Sequence, residues 1–145
     1  MKRLFSMFAL VFALAACVTN PSQREAERLA LYTAHAGAPV PSFRYFGSLN
    51  GWTPLGDAAI AVWTRPSQAY LLSFAGRCPD LDFASAISVS SQFGTVYAKF
   101  DKVVVLNRSA ISIPCHIREI RPLDVKAIKQ AQREMRANAQ VSERP

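Results

Sequence analysis

Histidine occurs only at His35 and His116. No Cys-x-x-Cys, His-Glu-x-x-His, Gly-x-Ser-x-Gly, phosphate-loop or dinucleotide fingerprint occurs anywhere in the 145 residues. Each absence removes a class. A zinc site built on Cys78 and Cys115-His116 runs out of ligands, since His35 is the one other histidine. Without a nucleophile elbow or a glycine-rich phosphate cradle, no hydrolase or nucleotide-binding signature remains. Serine, histidine and aspartate can be picked from any chain of this length, so their presence assigns nothing. His116 has no visible partner for general-base work and reads as a half-exposed strand residue. Asp80 and Asp82, beside Pro79, read as local hydrogen-bond acceptors rather than an acid pair or calcium site. Arg118, Glu119 and Arg121 read as surface charges. Catalytic residues, metal ligands and cofactors are therefore expected to be none, and the chain is read as a non-enzyme.

Long apolar runs are also missing. The longest, residues 4–16 broken only by Ser6, falls short of the ~20 residues that a spanning helix needs. It follows Lys2 and Arg3 and ends in small residues, which is the composition of a secretory leader. Leu14-Ala15-Ala16-Cys17 resembles the bacterial lipobox. That resemblance implies a signal peptide over residues 1–16, cleavage before Cys17, and acylation of Cys17 on its thiol and usually its new amino group. Each buried methylene contributes about 0.8 kcal/mol, so two or three chains anchor where one does not. The expected address is the cell envelope, lipid-anchored to the outer membrane on its periplasmic side. Outer-membrane sorting follows by analogy, because Val18 stands where an aspartate commonly signals inner-membrane retention.

The chain is basic, with 17 Lys and Arg against 10 Asp and Glu. Loss of the leader takes Lys2 and Arg3 but no acid, so the excess survives. An exported protein rarely meets nucleic acid, and no motif for it is present, so none is expected as a partner. An envelope protein or an anionic lipid fits better. With Cys17 used by lipid, Cys78 and Cys115 are an even pair in an oxidising compartment, and a disulfide between them is expected.

Turn residues divide the rest of the chain. Residues 17–42 read as a tether and a short helix, with Ser22 to Glu25 at capping-box spacing and Gly37, Pro39 and Pro41 ending the helix. Residues 43–122 are short apolar runs separated by Asn50-Gly51, Gly56-Asp57, Arg65-Pro66-Ser67-Gln68 and Phe93-Gly94, which is strand punctuation. Tyr70, Leu72 and Phe74 alternate onto one face, as do Val96, Ala98 and Phe100. Residues 102–106 are apolar on both faces, which predicts the centre of the sheet. Ile113, Cys115 and Ile117 share a parity that Ile120 breaks, and a bulge near Arg118-Glu119 would restore the register. The fold class is mainly β: a small curled sheet, sandwich or partly open barrel of about six or seven short strands. Residues 123–145 read as a basic amphipathic helix and tail. Asp124 caps this helix, which runs to about Ala137. Ile128, Ala131 and Met135 lie on its docking side. Lys126, Lys129, Arg133 and Arg136 form a stripe for contact with an anionic surface.

Several of these stretches together resemble a family of small proteobacterial lipoproteins catalogued only as a domain of unknown function. They are Trp52 with Leu55-Gly56-Asp57, Ala69-Tyr70-Leu71-Leu72, Cys78-Pro79-Asp80-Leu81, Phe100-Asp101-Lys102-Val103 and the run from Cys115 to Pro122. The resemblance covers roughly residues 36–124. It implies a compact, mostly β envelope domain with a Cys-Pro-x-Leu disulfide and no established activity. Some members carry a further cysteine pair, but Tyr45 and its neighbours are not cysteine, so one bridge carries over. The resulting functional reading is a non-enzymatic binding or structural lipoprotein. The alternative is a small ligand-binding or hydrolytic lipoprotein with a pocket near Trp52, Trp63 and Tyr70.

Overall fold

The computed structural model describes residues 20–107 and 112–142. Helix α1 (Pro21–Ala34) starts one residue before the expected serine cap. Asn20 is its N-cap, and Pro21 holds the first helical position, where its fixed φ suits a helix and its missing N–H is no loss. Ser22 therefore sits inside the first turn and does not cap it. The helix is exposed along most of its length and buries Tyr32 near its end.

Eight strands come after it: β1 (Ser42–Arg44), β2 (Gly51–Pro54), β3 (Ala59–Arg65), β4 (Gln68–Phe74), β5 (Ile87–Val89), β6 (Thr95–Tyr97), β7 (Lys102–Val105) and β8 (Pro114–Leu123). Six form one curled antiparallel sheet in the order β2-β3-β4-β8-β7-β5, and β1 pairs with β6 in a separate ribbon. The mainly β class holds. The predicted centre does not, because β7 lies beside the edge strand β5 while β4 and β8 occupy the middle. Val103 and Val105 are buried, but Leu106 is nearly half exposed. The pairing of Val96, Ala98 and Phe100 also fails, since β6 ends at Tyr97 and Phe100 stands 77% exposed.

The parity break in β8 is a bulge. Ser73 faces Glu119, yet the next residue of β4, Phe74, faces Ile117, so Arg118 is the extra residue. That single insertion turns Ile117 and Ile120 into the same core, and both are fully buried.

Each face of the sheet has its own core. On one face Ile60, Val62, Leu72, Phe74, Val103, Ile117 and Ile120 pack with Phe43 and Val96 of the ribbon and with Cys78 and Leu81. On the other, Ala59, Ala61, Ala69 and Leu71 pack with Tyr32 of α1 and with Val125 and Ile128 of the closing helix α2 (Val125–Ser142). The Ala127 N–H donates to Asp124 Oδ1 at 2.9 Å, the expected N-terminal cap. The helix runs five residues past its expected end. Its docking stops early: Ile128 is buried, whereas Met135 is 51% exposed. The apolar periodicity placed Met135 on the packed side, but the domain ends before that turn of helix is reached.

Candidate functional site: a groove at the β8 bulge

Strand β8 changes partner along one edge. Pro114 to His116 pair with β7, while Ile120 and Leu123 bridge to Val40 and Ala36 of the segment after α1. The Val40 N–H donates to Ile120 O and the Gly37 N–H to Pro122 O, both at 2.8 Å. Between these two partners lie Arg118 and Glu119, and there the surface opens into a groove of about 460 Å3. Pro39, Val40, Pro41 and Ala98 give it an apolar lining above the fully buried Ile120, and Tyr97, Lys99, Phe100, Arg118 and Glu119 complete it.

The wall from Tyr97 to Phe100 is held by Asp101, the one charged residue that is buried among those described. Its carboxylate accepts the Ser90 hydroxyl at 2.6 Å and the Tyr97 N–H at 2.7 Å. Its own N–H returns to Tyr97 O at 3.0 Å. Inside this closed turn Lys99 adopts φ +70°, with its N–H donating to Ile117 O at 2.7 Å. A non-glycine residue there costs about 1–2 kcal/mol, so the surrounding hydrogen bonds must over-determine the turn. The consequence is a rigid wall that presents Lys99 and Phe100 to solvent instead of folding the ring onto the core. Of the charges, Arg118 is exposed and Glu119 half-buried. Arg121 Nε lies 4.0 Å from Glu119 and donates to Gly37 O at 2.7 Å. Arg121 is therefore half-buried and structural, not the free surface charge that sequence suggested.

The other sequence-derived candidates fall elsewhere. Cys78 and Cys115 are bonded, with Cα atoms 5.3 Å apart. The bridge pins the one-turn 3-10 helix Leu81–Phe83 beside β8, and the Cys78 N–H donates to Asp57 O at 2.7 Å. Asp57 in turn pairs with Arg77. Asp80 takes a left-handed φ of 62° ahead of that turn and makes no capping bond. His116 is exposed opposite Lys102. Among the described residues no three His, Cys, Asp or Glu side chains converge as a metal site would require. Trp52, Trp63 and Tyr70 do not share one pocket: Trp52 and Trp63 line a shallow concavity beside Lys129, and Tyr70 lines another beside Arg44. Trp52 packs on the ribbon-side core and Trp63 on the helix-side core, where it meets Tyr32 edge-on at 6.2 Å. Tyr70 stacks on Phe43 at 4.5 Å. Lys126, Lys129, Arg133 and Arg136 are all exposed on α2, and Lys129 Nζ donates to Pro66 O at 3.2 Å. Cys17 lies outside the described residues.

Sequence reasoning missed the groove. Its two signals were the parity break in β8 and the Lys99-Phe100-Asp101 run, but nothing local indicates that they meet across some 18 residues of chain.

Nothing among the curated proteins or the solved structures matches the chain. One family model does match, over residues 1–139, and so reaches beyond the motifs of the β domain to the chain's first residue and through most of α2. On that match the chain belongs to DUF6491, a family of unknown function.

Proposed function

We propose that this protein is a bacterial envelope lipoprotein, anchored by lipid at Cys17, whose β domain is a non-enzymatic binding or structural module on the periplasmic side of the outer membrane. The observation that supports it is the division of labour among three cysteines. Cys17 closes Leu14-Ala15-Ala16-Cys17 behind a basic and apolar start, while the remaining two are bonded to each other. A bonded pair belongs to an oxidising compartment, which is where such a leader delivers its cargo. Only Val18 and Thr19 separate Cys17 from Asn20, the cap of α1. At 3.8 Å per Cα step, the start of α1 is then at most about 12 Å from its anchor. Intact-mass analysis tests the reading. The mature chain is expected to begin at Cys17 with added acyl mass, and Cys17→Ser to abolish both. A soluble mature chain cut elsewhere overturns it.

A second reading, a ligand-binding lipoprotein, is favoured by the groove at the bulge. Its volume falls in the range of about 300–1,000 Å3 typical of small-molecule sites, and its lining is mostly apolar with a few charged groups.

A further inference from the structure

We infer that the groove beside the β8 bulge binds one single-chain anionic amphiphile, its acidic head held by Lys99 and Arg118 and its apolar chain laid along Pro39, Val40, Pro41 and Ala98. The charge pattern selects the head group. Lys99 and Arg118 are exposed and line the groove. Its one carboxylate, Glu119, has Arg121 at 4.0 Å. Cations therefore outnumber acids around the opening, and an anion gains charge-assisted hydrogen bonds there that a cation or a sugar does not.

The lining selects the tail. An apolar groove ending in an exposed aromatic edge, with Phe100 at 77% and Tyr97 at 39% exposure, leaves unburied surface that a chain would cover. About 460 Å3 lies near the lower end of small-molecule sites, which suits one chain rather than a two-chain lipid. The wall is also prepared in advance, because Asp101 fixes residues 97–101 with Lys99 already in its left-handed conformation. Little ordering is left for the ligand to impose.

Position agrees with this chemistry. Glu119 pairs with Ser73, and Ser73 with Ala59. That is the end of the sheet where Glu25 of α1 lies beside Gly56. If the chain is anchored at Cys17, as the lipoprotein reading requires, this end faces the bilayer, where such amphiphiles concentrate.

Photo-crosslinking of the full mature chain, carried in phosphatidylcholine nanodiscs, tests the inference. The probes are diazirine-bearing dodecyl phosphate, dodecyl glucoside and dodecyltrimethylammonium, together with a diazirine phosphatidylglycerol placed in the disc. Dodecyl phosphate is expected to label the segments 39–41, 97–100 and 118–119 at least tenfold more than the cationic probe, and each methylene removed should weaken labelling about fourfold. Lys99→Gly with Arg118→Gln should remove the preference for the phosphate. Lys99→Gly also eases the positive φ, and Lys99→Arg should keep the preference. Equal labelling by the cationic probe, or no change in the double variant at an unchanged melting temperature, overturns the site. Labelling by phosphatidylglycerol alone overturns the single-chain assignment, because the contact is then with the bilayer. The intact mass of the same sample reports the anchor separately: a chain without acyl mass refutes the tether and leaves the amphiphile result readable.

Discussion

The two faces of the sheet are packed in opposite ways, and a single strand shows it. Along β3 the residues run Ala59, Ile60, Ala61, Val62, with the alanines facing the helices and the large aliphatics facing the ribbon. Beneath α1 and α2 the sheet offers three alanines, Ala59, Ala61 and Ala69, beside the larger Leu71 and Leu123, and the helices add Tyr32, Val125 and Ile128. The three alanines leave room for the helices' larger side chains to reach the sheet. Under the ribbon the arrangement reverses. β1 and β6 bring few large residues, chiefly Phe43 and Val96, and the sheet itself supplies Ile60, Val62, Leu72, Phe74, Ile117 and Ile120. That side is also the one closed by the disulfide. The ribbon face is thus where the domain concentrates its buried volume and its covalent constraint, while the helix face is a lighter seam.

Four changes test that asymmetry. Replacing Cys78 and Cys115 with serine should have the largest effect. The bridge spans a sequence separation of 37, for which the chain-entropy model gives about 4 kcal/mol. Chemical denaturation of the variant, compared with the oxidised parent, measures it. Next, Leu72→Ala on the ribbon face should cost roughly 3 kcal/mol, within the ~2–5 kcal/mol range of such truncations, because Leu72 is fully buried at mid-sheet and its neighbours cannot collapse into the void. If either change leaves the unfolding free energy within about 0.5 kcal/mol of the parent, the ribbon face is not the principal core.

This asymmetry was partly legible in the sequence. Tyr70, Leu72 and Phe74 alternate in the strand pattern and do share the ribbon-side core. The broken parity between Ile117 and Ile120 predicted the bulge now seen at Arg118, and elimination paired Cys78 with Cys115. What failed depended on contacts distant in sequence. β6 pairs with β1, some 50 residues earlier, and no local pattern identifies such a partner. Residues 102–106 looked central because apolar content signals burial but not sheet position. β8, which carries His116, Arg118, Glu119 and Arg121, is central instead. Its charged side chains lie toward its bulge and the exposed edge it shares with the segment after α1. The groove was illegible for the same reason, since it exists only where that segment, the Asp101 turn and the bulge meet.

A third change works on the helix face by addition rather than removal. Ala61 is fully buried under the helices, so Ala61→Leu inserts volume where the short side chain leaves room for the helices' larger ones. Overpacking of this kind costs typically about 1–3 kcal/mol. The expected result is a lowered melting temperature together with faster amide exchange in α1 and in the first two turns of α2, while β7 and β8 keep their protection. Uniform loss of protection would mean that the two faces are one cooperative core and the distinction drawn between them has no energetic meaning.

The smallest effect is expected beyond the end of the helix seam, and it divides α2 in two. Ile128 is 2% exposed and packs with Leu71 and Val125, so its truncation belongs with the core changes. Met135 continues the same helical stripe two turns later but stands half exposed, as do its neighbours in the last ten residues of the helix, all of which face solvent. Met135→Ala should therefore shift stability by no more than about 0.5 kcal/mol, the usual limit at surface positions. Glutamine at Lys126, Arg133 and Arg136 should do the same, because each is exposed. Lys129 has one further contact, the Pro66 carbonyl at 3.2 Å. An exposed hydrogen bond of that kind is worth at most about 1 kcal/mol, and Lys129→Gln should accordingly be the costliest of the four. What the stripe does change is read separately: if it meets an anionic surface, the mature chain in discs containing phosphatidylglycerol should show protection of α2 that fades as salt is raised, since exposed charges are screened beyond about 10 Å at 0.1 M. Equal protection in neutral discs would reduce the stripe to a solvated face. A loss of more than about 1 kcal/mol on Met135→Ala would extend the helix seam past the point where the structure ends it.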